Sequence, residues 1–398
     1  MQSKSMQSLK QNPVKITKDK KNYNEYYMGI ALDLAVKSRP SPNPRVGAVI
    51  VKNGKITGRG YHHAPGMAHA EVEAINDANG NTKGATIYVT LEPCCHQGRT
   101  GPCTTAIVNA GISKVVIGIL DPDKNVSGHG VKILKNHCDV TVGILHDQCE
   151  QMLKGYIHHR TTGRPLIHIK AAITLDGFIA TTAGDSKWIT DTTSRTEAHK
   201  IRAACDGVIA GINTVIKDDP ELTVRLCDGH NPARIILDTN LRISLESKLV
   251  KSSDISKVII AHGSNPPKAK ADALKNKNIQ LIEVKTEDAD TIDLNDLIIK
   301  LEKEGMLCLM VEGGAKVIGS FISKQIADIF SLFIAPKFIG KGITWSGFDG
   351  VNVIENAITA NNFHVKKLEH DILITGSFNK TEGTSNHDRP KKRTGSHQ

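Results

Sequence analysis

Short β-branched apolar runs recur along most of this chain with helical stretches between them. That alternation restricts it to α/β architectures, in which strands lie side by side under covering helices. In the first half, residues 46–51, 86–91 and 114–119 read as strands, and 71–78 and 104–110 have the apolar spacing of helices. Helices that open just after a strand bring their first residues to one edge of the sheet, where such folds bind ligands. A polar stretch over 148–163 breaks the pattern before a fresh strand starts at Pro165. Beyond it, 166–173, 207–210, 233–237, 257–261 and 307–311 read as strands, with helices such as 195–204 and 294–303 between them. The expected organisation is an α/β domain over 23–147, a linker over 148–163 and a second α/β domain over 164–378. No internal repeat relates the halves, so two different folds are expected.

The length supports this division, because 398 residues with 39% hydrophobic side chains can fill two cores. The formal charge of +10 invites a polyanion partner, yet residues 1–22 carry +5 of it and 379–398 carry +3, which leaves the body near neutral. Both ends are polar and short of aromatic residues, so 1–22 and 379–398 are expected to be disordered basic tails, with no nucleic-acid partner. The eight cysteines are unevenly spaced behind a start that lacks a signal peptide, which favours reduced thiols or metal ligands over a disulfide framework. No apolar run approaches the roughly 20 residues that span a bilayer. A soluble, cytoplasmic protein with no membrane partner is expected.

The most informative residues are His69-Ala-Glu71, Pro93-Cys94 and Cys103, which place one imidazole, two thiols and one carboxylate at expected helix starts. His69, Cys94 and Cys103 would hold one zinc ion and leave its fourth tetrahedral position open, as a catalytic site requires. Helix N-termini would stabilise the two thiolates. Zinc lowers the pKa of water from about 16 to about 7, and the hydroxide would add to a ring carbon that bears an amino group. Glu71, two residues from His69, would shuttle the protons as general base and then acid. This His-x-Glu and Pro-Cys pattern is the signature of zinc nucleobase deaminases. A closed structural site completed by Cys95 or His96 is the bland alternative, which leaves Glu71 without a purpose. The second cysteine follows the first by nine residues instead of the usual three, and the loop between them carries His96 and Arg99, groups suited to a phosphate or polar ring substituent.

Taken together, Pro42-Asn-Pro-Arg-Val-Gly-Ala-Val49, His69-Ala-Glu71, Tyr88-Val-Thr-Leu-Glu-Pro-Cys94, Gly98-Arg-Thr-Gly-Pro-Cys103, Asp121-Pro122 and Gly128-His-Gly130 resemble the bifunctional deaminase–reductase family of riboflavin biosynthesis, RibD. The second half adds Leu175-Asp-Gly177, Ser186-Lys-Trp-Ile-Thr190, Thr214, Asp218-Asp-Pro220, Leu222-Thr-Val-Arg225 and Val311-Glu-Gly-Gly314, so the likeness covers about residues 23–340 in order. It implies a cytidine-deaminase-like α/β domain followed by a dihydrofolate-reductase-like α/β domain. It also implies hydrolytic deamination of 2,5-diamino-6-(5-phosphoribosylamino)pyrimidin-4(3H)-one, then reduction of the ribosyl group to ribityl by NADPH. By the same resemblance, His69, Cys94 and Cys103 bind zinc, Glu71 moves protons, and Asn43, His62, His96 and Arg99 meet the deaminase substrate. Ala172, Trp188, Thr214, Asp218 and the run Gly314, Ala315, Lys316, Val317, Ile318, Gly319 and Ser320 would meet NADPH. Ser186, Arg202, Leu222, Arg225 and Glu312 would face the reductase substrate, a phosphorylated pyrimidine. A homo-oligomer is expected.

Some of this stands without the family. The strand into Gly313-Gly314 and a helix start would present backbone N–H groups to a phosphate. Arg202 and Arg225 could fork onto a phosphate, Lys170 and Asp218 are polar candidates at the ribose, and Trp188 could pack on a cofactor ring or fill a core. The chain departs from the family pattern at Ile173-Thr174 and at Gly155-Tyr-Ile-His-His159, and after about residue 345 it carries no matching signal. Two other readings stay open: a nucleic-acid base deaminase with a degenerate second domain, and a non-catalytic zinc-binding interaction module.

Overall fold

The computed structural model describes residues 20–97, 101–123 and 126–379, and the chain divides into two compact units, Met1–Leu153 and Lys154–Gln398. The expected tails lie outside the described residues at 1–19 and 380–398. Helix α1 already begins at Lys20, inside the stretch assigned to the first tail.

The first unit runs α1 (Lys20–Val36), β1 (Gly47–Lys52), β2 (Lys55–Tyr61), α2 (Ala70–Asp77), β3 (Thr86–Leu91), α3 (Cys103–Asn109), β4 (Lys114–Ile119), α4 (His129–Lys135), β5 (Asp139–Val142) and α5 (His146–Met152). Its sheet has the order β2-β1-β3-β4-β5, with β1 antiparallel to both neighbours and β3, β4 and β5 parallel. The central strands are buried on both faces, which is why Val115-Val-Ile117 reads as a continuous apolar run. In β2, Gly58 and Gly60 let α2 lie directly on the strand; a Cβ at either would sit 2.1 or 2.2 Å from a carbonyl oxygen of α2.

The second unit opens with α6 (Lys154–Thr162), so the stretch expected as a linker is helical nearly throughout: α5 packs in the first unit and α6 in the second. It continues through β6 (Leu166–Thr174), β7 (Phe178–Thr181), α7 (Thr192–Ala204), β8 (Gly207–Gly211), α8 (Ile212–Asp218), β9 (Ala233–Leu237), α9 (Lys248–Lys251), β10 (Val258–His262), α10 (Lys268–Lys275) and β11 (Gln280–Glu283). Then follow α11 (Leu294–Lys303), β12 (Cys308–Val311), α12 (Ala315–Ser323), β13 (Ile329–Ala335), β14 (Gly342–Thr344), β15 (Ala360–Lys367) and β16 (Ile372–Phe378). The large sheet has the order β11-β10-β9-β8-β12-β6-β13-β16-β15, parallel from β11 to β13 and antiparallel at the last two strands. Alternate residues of its strands feed two cores: Ile209, Ile235 and Ile259 join one, while Val208, Ile236 and Ile260 join the other. The carboxyl ends of β6, β8, β9 and β12 therefore share one edge, the usual place for a ligand in a parallel sheet.

Candidate active sites

In the first unit, His69 caps α2, Cys103 is the first residue of α3, and Cys94 lies in the loop that leaves β3. His69 Nδ1 is 3.5 Å from Cys94 Sγ and 3.3 Å from Cys103 Sγ, and the three donor atoms all lie within 4.8 Å of one another. Cys94 departs from the expectation of a helix start, because the nine-residue spacing leaves it in extended loop. It still meets α3, whose first N–H, from Cys103, points at its sulfur over 3.4 Å. The expected fourth donors of a closed site are elsewhere: among the described residues, Cys95 and His96 are not part of the cluster.

The donor set suits zinc, with one imidazole and two thiols converging and one tetrahedral position left over. The electrostatics point the same way. Hydrogen bonding from Cys103 draws the Cys94 thiol down, while that same contact and burial push Cys103 up, so the pair favours negative charge on one sulfur that a cation between them would satisfy. His69 is raised, chiefly by its bond to Cys94. Glu71, on the first turn of α2, is 3% exposed, and burial and then the Cys94 charge lift its carboxyl to about 7.

Beside this triangle, the His62 ring packs edge-on to His69 with centroids 5.0 Å apart. His62 Nδ1 must donate to the Ala68 carbonyl at 3.0 Å, so its Nε2 accepts from Asn43 Nδ2, also at 3.0 Å. Burial lowers the proton affinity of His62. The structure thus gathers Asn43 and His62 at the triangle. His96 is exposed in the loop after Cys94, and Arg99 lies outside the described residues.

In the second unit, a cavity of about 940 Å³ opens at the carboxyl edge of the sheet. Ala172, Ser186, Trp188, Arg202, Thr214, Asp218, Leu222, Arg225, Glu312, Gly314, Ala315, Lys316, Val317, Ile318 and Ser320 all line it. Gly319 does not: it faces Gly347, where a Cβ would meet backbone at 2.5 Å, and so serves packing. Gly314 caps α12 and donates its N–H to Thr214 Oγ1 at 3.1 Å, tying two cavity walls together.

One expectation needs correction and one open alternative is decided. Arg202 is no open phosphate fork: its guanidinium bonds Glu312 Oε2 at 2.6 Å and the Thr223 carbonyl at 2.6 Å, because a buried guanidinium must find acceptors within the protein. Trp188 fills no core; it is 65% exposed, with the Arg195 guanidinium 4.5 Å over its ring. Lys170 also bonds Glu312, at 2.9 Å, and although burial works against it, these two cations hold the carboxyl down to about 2. Arg225 pairs with Glu221 at 2.9 Å and donates its backbone N–H to His199 Nδ1, also at 2.9 Å. Sequence reasoning missed His199. Burial, then the charges of Arg202 and Arg225, push it to about 4, so the ring is neutral with its proton on Nε2. A histidine inside an amphipathic helix carries no motif, and only its neighbours in space single it out.

Residues 21–119 match the cytidine and deoxycytidylate deaminase zinc-binding region, and residues 165–374 match the RibD C-terminal domain. The fold and its two sites thus define a zinc deaminase joined to a reductase. Among similar proteins, the riboflavin biosynthesis protein RibD of Aquifex aeolicus is 42% identical over 352 residues, 87% of this chain and 96% of the relative. That of Bacillus amyloliquefaciens is 40% identical over 82% of this chain and 88% of its own length. Solved structures agree: Acinetobacter baumannii RibD superposes with a TM-score of 0.74 at 32% identity, covering 91% of this chain and all of the other. The Thermotoga maritima diaminohydroxyphosphoribosylaminopyrimidine deaminase/5-amino-6-(5-phosphoribosylamino)uracil reductase gives 0.75 at 34%, covering 90% and 99%. The chain belongs to the RibD family. It is a bifunctional enzyme of riboflavin biosynthesis, with a zinc-dependent deaminase domain and a reductase domain that uses NADPH.

Proposed function

We propose that His69, Cys94 and Cys103 hold the zinc and that Glu71 moves the protons of hydrolytic deamination. The substrate proposed is 2,5-diamino-6-(5-phosphoribosylamino)pyrimidin-4(3H)-one. Bound zinc supplies Lewis acidity that makes water a nucleophile at neutral pH. Glu71 would take a proton from that water and give it to the ring nitrogen, then take the hydroxyl proton of the adduct and give it to the departing amino group, so its apolar setting and high proton affinity suit both halves of the exchange. Asn43 and His62 present fixed hydrogen-bonding groups beside the triangle for the ring edge; His96 and Arg99 are proposed for the phosphate end.

In the second unit, Ala172, Trp188, Thr214, Asp218 and the α12 start would seat NADPH, and Ser186, Leu222, Arg225 and the Lys170–Glu312–Arg202 cluster would seat the deaminated ribosyl compound. Hydride transfer is the cofactor's chemistry, and these residues orient its partners. The observation that carries this reading is the three-donor triangle with a buried carboxyl on the same helix turn as its histidine. The near-neutral body supports a small-molecule substrate over nucleic acid. Among the described residues, no helix is long and apolar enough to cross a membrane, which supports a cytoplasmic enzyme. Strand β15 is exposed along its whole length, with Phe363 and Val365 each 62% exposed; this open edge supports a homo-oligomer.

The test is release of ammonia from the diamino-pyrimidinone ribotide by zinc-counted protein. One zinc per chain and ammonia followed by NADPH oxidation support the proposal; zinc-replete protein that releases none contradicts it.

A further inference from the structure

The sheet face that carries Lys170 and Glu312 runs on toward the opposite strand ends, where it holds a pair of sulfurs that neither reaction uses. Residues of β6 and β12 alternate between the two faces, so His168 lies below Lys170, and Cys308 and Met310 lie below Glu312. Helix α7 covers this face and ends at Cys205. Cys308 Sγ donates to Cys205 Sγ across 3.4 Å. His168 Nε2 is 2.9 Å from Ser331 Oγ, and the ring also hydrogen-bonds Cys205. The backbone is pinned on both sides of the pair: Asp206 N–H donates to the Cys308 carbonyl at 2.8 Å, and Asp206 Oδ2 accepts from the Leu307 and Cys308 N–H groups at 2.9 and 3.0 Å. Cys205 is buried and Cys308 half-buried, so a small reagent meets Cys308 first.

We infer that Cys205 and Cys308 are a redox site that a small hydroperoxide closes into a reversible disulfide, and that closure disturbs the reductase cavity. The inference rests on reading that cavity as the reductase site. With Cys205 deprotonated and its proton released to solvent, the Cys308 proton passes to Cys205 along the existing hydrogen bond. The Cys308 thiolate then attacks the peroxide, a sulfur–oxygen bond forms, the oxygen–oxygen bond breaks, and the leaving oxygen takes up a proton from solvent. Cys205 sulfur next attacks Cys308 sulfur, forming the disulfide and breaking the sulfur–oxygen bond, and water departs with the Cys205 proton. Two thiols are thus oxidised and one peroxide reduced. The hydrogen bond from Cys308, and after it His168, lower Cys205 against burial, which favours the thiolate on Cys205 that takes up the Cys308 proton.

A disulfide needs about 2.05 Å between sulfurs, so the pair must close by more than 1 Å from 3.4 Å. Arg202 lies three residues before Cys205 on α7, and Glu312 four residues after Cys308 on the β12 path. Drawing α7 toward β12 therefore shifts Arg202 against Glu312, whose present bond is 2.6 Å. Displacements of about 1 Å at a site can cost up to on the order of 100-fold in rate.

The experiment treats zinc-loaded full-length protein with stoichiometric hydrogen peroxide, maps peptides without reduction, and follows NADPH oxidation and ammonia release separately. The inference expects a Cys205–Cys308 linked peptide, NADPH turnover reduced by about tenfold or more, unchanged ammonia release and zinc, and recovery with dithiothreitol. Cys308→Ala should keep turnover when reduced and resist peroxide; should that variant fail to fold, peptide mapping of the natural chain decides. A dose that oxidises Cys227 without linking the pair overturns the inference, as does a linked protein with unaltered NADPH turnover. Reduced protein that never oxidises NADPH would instead refute the reading of the cavity, while the linked peptide still reports on the sulfurs.

Discussion

In the first unit, the chemistry is concentrated: His69 and Cys103 are 34 positions apart, and three donor atoms fit within 4.8 Å. In the second, the cavity draws on residues from Lys170 to Ile343, and its strongest interactions are ion pairs among Lys170, Arg202 and Glu312. A compact three-donor triangle has few atoms and none to spare, so damage there should remove activity while leaving the sheet standing. A dispersed cavity spreads its contacts over five strands and five helices, so damage there should trade activity against stability.

The sharpest contrast comes from Glu71→Gln, which should retain zinc and lower ammonia release by on the order of 10²- to 10⁴-fold while NADPH oxidation with supplied deaminated substrate stays unchanged. Next in size is Glu312→Gln, which leaves two buried cations facing each other. It should slow NADPH turnover and destabilise the second unit by about 3 kcal/mol, with ammonia release intact. If stability were unmoved, the ion cluster would matter less to this unit than its burial implies.

Acid should separate the units further. Glu312 lies at about 2 in the fold, below the ordinary carboxyl value near 4.3. Its contribution is present above that ordinary value and is lost as pH falls toward about 2. His199 lies at about 4, below the ordinary value near 6.5. The unfolded chain therefore takes up that proton first, and stability declines as pH falls from about 6.5 to about 4. Both tryptophans, Trp188 and Trp345, lie in the second unit, so their fluorescence follows it alone. His199→Gln should flatten the upper part of this decline; an unchanged slope would show that His199 is not its source. The smallest effect belongs to Trp188→Ala. It should change stability by less than about 1 kcal/mol and raise the KM for NADPH; an unchanged KM would remove this ring from the cofactor's contacts.

The same contrast governs what could be read from the chain. Strands β3, β4 and β9 and helix α11 match the expected spans residue for residue, because each is a buried apolar run or a strongly amphipathic turn series. Strand β2 escaped notice because the close approach of α2 demands glycines at Gly58 and Gly60, and glycine reads as turn. Strand β15 escaped because it is exposed along its length and leaves no alternation to detect. The cluster of His69, Cys94 and Cys103 was legible because its donors sit in short, chemically unusual motifs. The engagement of Arg202 by Glu312 was not, since 110 residues separate them and only the parallel sheet order brings β12 beside β6 and β8. His199 is hidden for the same reason.

The central claim is that one chain carries two separable chemistries, with Glu71 serving one and Glu312 the other. The direct measurement is ammonia release and NADPH oxidation, each assayed with its own substrate, in zinc-counted natural protein, Glu71→Gln and Glu312→Gln. The account predicts a crossed pattern: Glu71→Gln loses ammonia release and keeps NADPH oxidation, and Glu312→Gln does the reverse. Loss of both activities in a folded, zinc-replete Glu71→Gln, or ammonia release from it at the natural rate, would contradict the account.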